Sequence, residues 1–124
     1  MADVVTSVGK DAVAEKIGGL GSHGAFKVLA LGDSGTAATA ADTSLVSELV
    51  GSGLARAAST ASTSTSNVLQ LVKTWTASAS ATIRECGVLD NETSGGTLLA
   101  RSNFSDISVA SDDSIQITYK VQVD

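Results

Sequence analysis

The chain has 124 residues, one domain's worth, with hydrophobic residues at 43% and charged residues at 17%, a globular balance that excludes a disordered acidic tail. Net charge is −5 and the basic residues are scattered singly, which excludes the clustered positive surface that nucleic acid requires. Aromatics at 3% leave few rings for a stacking platform, while Ser and Thr make up about a quarter of the residues.

Met1-Ala2-Asp3 lacks the basic, apolar and small-residue order of a secretory leader, and no apolar run reaches membrane-spanning length. A cytosolic site of synthesis and no membrane partner are expected. Residues 6–20 predict a helix: Thr6 or Ser7 can cap it, Val8, Ala12, Val13, Ile17 and Leu20 recur at helical spacing, and Gly18 and Gly19 stop it. Residues 25–31 form an apolar run of strand length that ends at the turn signal Gly32-Asp33-Ser34-Gly35.

Asp42 or Thr43 can cap a second, shorter helix containing Leu45, Val46, Leu49 and Val50, closed by Gly51 and Gly53. Beyond Leu54 every signal is β. Residues 56–62 and 68–77 read as a hairpin around the connection 63–67, with Leu69, Leu71 and Trp75 on one face. Residues 82–89 and 97–101 are further strands around a loop of turn formers at 90–96. The clearest strand is 115–123, where Ile115, Ile117, Tyr119, Val121 and Val123 alternate with polar residues, the mark of a half-buried antiparallel strand. The expected fold is a single domain over residues 1–124, α+β and mostly β: an antiparallel β-sandwich or rolled sheet with an N-terminal helix and one short second helix.

Three strings suggest chemistry. Gly32-Asp33-Ser34 after a buried strand looks like the nucleophile block of lipase-like hydrolases, but a serine nucleophile needs a base, and the sole histidine, His23, precedes it in a glycine-rich turn. Gly19-Leu20-Gly21-Ser22-His23-Gly24 has the letters of a dinucleotide fingerprint in reversed context, after a helix and before a strand. Asp112-Asp113 lacks the ligand spacing of a calcium loop and reads as a solvated turn. Cys86, alone, cannot form an intrachain disulfide and reads as strand packing. No catalytic residue, cofactor or metal is therefore expected. Trp75 and Tyr119, if exposed, would offer a sugar platform.

The order of segments resembles small bacteriophage virion proteins similar to the N-terminal module of tail-collar fibre proteins. The resemblance runs from the opening TSVGKDAVAEKI through VLALGDSGTAATAADTSLVSEL to TIRECGVLDNETSGGTLLARSNF and the final alternating strand. It implies a non-enzymatic virion structural protein made in the host bacterial cytoplasm. Its partners would be other virion proteins of the tail, collar, portal or capsid, and copies of itself; no nucleic acid or membrane is implied. Fibre proteins of this group continue into a trimeric shaft that this sequence does not contain, so a stand-alone accessory is expected: a fibre-anchoring tail or collar piece, with capsid cement as the alternative and a surface carbohydrate-binding module as the alternative of another class. Gly32, Asp33, Arg84, Glu85, Gly87 and Arg101 are its candidate interface or structural residues. Arg84 and Glu85 are either partners across a strand or subunit boundary or solvated strand charges.

Overall fold

In the computed structural model, which describes residues 2–123, a short strand β1 (Ala2–Val5) leads directly into a helix α1 (Ser7–Ile17). Thr6 makes the junction. Its hydroxyl accepts the Gly9 amide at 3.0 Å, satisfying one of the helix's open donors, and donates to the Leu98 carbonyl, so one side chain caps the helix and ties it to a strand. Gly19 stops the helix in the left-handed conformation, with φ +70°. The apolar stripe is shorter than its spacing predicts: Ala12 is buried and Val8 and Val13 half-buried, but Ile17 and Leu20 lie exposed beyond the part of the helix that meets the sheet.

The remaining strands are β2 (Val28–Gly32), β3 (Ala57–Ala58), β4 (Thr60–Thr65), β5 (Val68–Thr76), β6 (Ala81–Leu89), β7 (Leu98–Val109) and β8 (Ser114–Gln122). They build two antiparallel sheets, a five-stranded one in the order β1-β7-β6-β2-β3 and a three-stranded one in the order β4-β5-β8. The fold is mostly β with one helix, as the period-2 patterns predict. The two sheets share one hydrophobic core: Leu29, Leu31, Val88 and Ala100 of the larger sheet meet Leu71, Trp75, Ile115 and Tyr119 of the smaller. All five residues of β2 are buried, because its other face contributes Val28 and Ala30 to a second cluster with Leu45, Leu89 and Leu98. A strand covered on both sides reads as an unbroken apolar run.

The segment expected as a second helix is not one. Between residues 42 and 50 the backbone is irregular, and Glu48 forms an isolated bridge with Gly32. Its amides and carbonyls bond outward rather than to each other: Leu49 N donates to the Leu31 carbonyl at 2.8 Å, and Ser47 O accepts the Asp33 amide at 3.0 Å. Backbone groups engaged with β2 cannot close i to i−4 helical rings.

Strand limits also move. The 56–62 strand divides at Ser59, whose amide and hydroxyl both donate to the Lys27 carbonyl, so that β3 belongs to one sheet and β4 to the other. Thr63 and Thr65 both pair with β5, across a register shift, and a two-residue turn at Ser66 and Asn67 closes the hairpin more tightly than expected. β7 continues eight residues past the expected end at Arg101, because its polar second half completes the ladder with the first half of β6.

Candidate functional site

The register of the larger sheet gathers the motif residues. Gly32 on β2 lies beside Glu85 on β6, and Gly87 on β6 lies beside Arg101 on β7. Both glycines make room. A Cβ on Gly32 would fall on the Glu85 side chain, 2.6 Å from its Cδ, and one on Gly87 would come within 2.7 Å of Leu45 Cδ2. The missing side chains thus open a space over this face of the sheet, which Glu85 and the 33–47 loop fill.

Glu85 is fully buried and its carboxylate accepts four hydrogen bonds. Oε1 takes the Val46 amide at 3.0 Å and Arg101 Nε at 2.9 Å, while Oε2 takes the Ser47 amide at 2.8 Å and the Ser34 amide at 3.3 Å. Arg101, also fully buried, extends the network: Nη1 donates to Asp42 Oδ2 at 3.0 Å and Nη2 to the Thr36 carbonyl at 2.7 Å. One ion pair therefore holds both ends and the middle of the loop to the sheet.

Burial pushes the Asp42 carboxyl up, but hydrogen bonds from the Thr39 amide and hydroxyl and from Arg101 outweigh it and hold the group below its ordinary value of 3.8. A carboxylate with a depressed folded-state pKa adds stability above its unfolded value and loses it as pH falls through the folded one. Unfolding midpoints in urea should accordingly drop below about pH 4, and Asp42→Asn should flatten that part of the profile. An unchanged slope in the variant would remove Asp42 from the acid response.

Arg84 behaves differently from its neighbour. It lies at the surface, where Nε donates to Asp106 Oδ1 at 2.8 Å and Nη1 to the Asp33 carbonyl at 2.9 Å. The Asp106 contact raises the guanidinium's pKa and lowers that of the carboxyl. Both partners are intramolecular: Arg84 bonds across to β7 and Glu85 bonds inside the fold. All six candidate residues thus belong to one neighbourhood, with Asp33 entering through its carbonyl. Asp42 and Thr36 are the members that the sequence does not mark: Asp42, with Thr43, has the position of a helix cap. A second arginine closes the far end of the same segment: Arg56 forks onto Glu48 and donates to the Asn91 and Gly95 carbonyls, and the Glu48 contact raises its pKa.

The other motif residues are placed apart. Ser34 Oγ donates to Thr36 Oγ1 at 3.0 Å, and the His23 nitrogens lie 3.6 Å from Glu15 and Asp90. Trp75 and Tyr119 are buried, Trp75 donating to the Ala55 carbonyl and Tyr119 accepting from Ser102, so the two rings form no surface platform and the carbohydrate-module alternative loses its basis. Asp112 and Asp113 form a turn in which Asp113 accepts the Ala110 amide. No family model, curated protein or solved structure matches the chain.

Proposed function

We propose that the chain is a non-enzymatic structural protein of a bacteriophage particle, a multi-copy docking module that anchors a tail, collar or fibre component. The observation that carries the docking reading is the saturation of Glu85. An ionised carboxylate offers about four acceptor sites, and here all four are taken by the protein's own donors. The charges of the motif serve to fix the 33–47 loop in one shape, with Val46 outward on it and Val50 outward just beyond it, 55% and 80% exposed. Apolar side chains on a fixed loop are suited to meeting another protein. The virion part of the reading is supported by the ordered resemblance of segments.

Purified particles should contain the chain in several copies when their protein content is quantified by mass spectrometry. Density for it at the tail or collar in a whole-particle map supports the anchoring role, and density on the capsid lattice would replace that role with cementing. Particles lacking the chain would end the proposal.

A further inference from the structure

Strand β8 is an edge of the smaller sheet and pairs with β5 without interruption from Val68↔Gln122 to Thr76↔Ser114. Val123 N donates to the Asn67 carbonyl and Asp113 O accepts the Ala77 amide, which fixes the phase: odd-numbered residues bond toward β5. The amides and carbonyls of Ser114, Gln116 and Thr118 consequently face the open edge. Along that edge runs a cavity of about 230 Å³ between β8 and β7, lined in part by the half-buried Phe104 and Ile117.

The geometry points to a second copy of this chain as the occupant, pairing β8 with β8 antiparallel about a two-fold axis at Gln116. Charge selects this register. It sets Thr118 opposite Ser114 and brings the long Lys120 side chain of each copy over the turn at Asp112 that precedes β8 in the other, two opposite-charge approaches between chains that otherwise repel with a net charge of −5 each. The half-buried Ile117 of each copy, which lines the cavity with Phe104, then lies at the seam, and the two small sheets join into one. The other exposed edge of the small sheet, β4, has a register shift between Thr63 and Thr65 and no charged residue with which to choose a partner. The inference rests on the multi-copy docking reading and names one of its surfaces.

Sedimentation velocity of the purified chain should show a dimer that dissociates on dilution. Antiparallel partners that exchange hydrogen bonds have Cα atoms about 5.5 Å apart, within disulfide range, so Gln116→Cys should give a covalent dimer under mild oxidation while Thr118→Cys should not. Lys120→Glu should weaken the dimer roughly tenfold or more. Adding Asp112→Asn should recover part of the loss, Asn being tolerated at the φ of +75° found there. A monomer at all concentrations, cross-linking through Thr118 instead of Gln116, or indifference to Lys120→Glu would each overturn the pairing. A monomer that is nevertheless found in particles would overturn the pairing alone, whereas a dimer absent from particles would overturn the virion reading alone.

Discussion

Replacing Arg101 with Met should cost about 3–5 kcal/mol of folding stability, the loss that follows when one partner of a buried ion pair is removed. The penalty arises from what remains. Glu85 would stay fully buried with its negative charge uncompensated, and Asp42 and the Thr36 carbonyl would lose their guanidinium donors. Chemical denaturation at neutral pH measures the effect, and a loss below about 1 kcal/mol would mean that the pair is not the anchor described. The double variant Glu85→Leu with Arg101→Met should recover only part of the stability. Removing both charges relieves the electrostatic penalty, but the amides of Ser34, Val46 and Ser47 still lose their acceptor. Limited proteolysis should then cut within residues 33–47 of the variants and spare the same segment of the parent chain.

Gly32→Ala should be strongly destabilising for a single added methyl. Its Cβ would overlap Glu85, and overpacking of this kind costs about 1–3 kcal/mol before any loss of hydrogen bonds. Displacing the carboxylate would also break its four contacts, so the total should approach that of the Arg101 variant. Shortening the obstructing side chain tests the cause: Gly32→Ala combined with Glu85→Asp should lose less than the sum of the two single losses. Strict additivity in denaturation measurements would place the damage elsewhere.

Much of the fold is legible in the sequence because its signals are local. The alternation of Ile115, Ile117, Tyr119 and Val121 is a period-2 pattern within one strand, and Thr6 lies one residue before the helix it caps. The candidate site was legible in its membership but not in its role. Gly32, Asp33, Arg84, Glu85, Gly87 and Arg101 could be named from the order of segments, yet nothing local distinguishes the exposed Arg84 from the buried Glu85 beside it.

The same limit explains the segment from Asp42 to Val50. Its cap, apolar spacing and closing glycines are those of a helix, and by itself it would favour one. In the fold the Val46 and Ser47 amides bond to a carboxylate 39 and 38 residues away, and the neighbouring backbone bonds to β2. Sequence alone determined the β-rich class, the presence of the first helix with a cap at Thr6 or Ser7, and the strands whose pattern repeats every two residues. Tertiary structure alone decided that residues 42–50 form a loop and that Glu85 is an internal anchor, because a buried charge draws its donors from wherever the chain brings them.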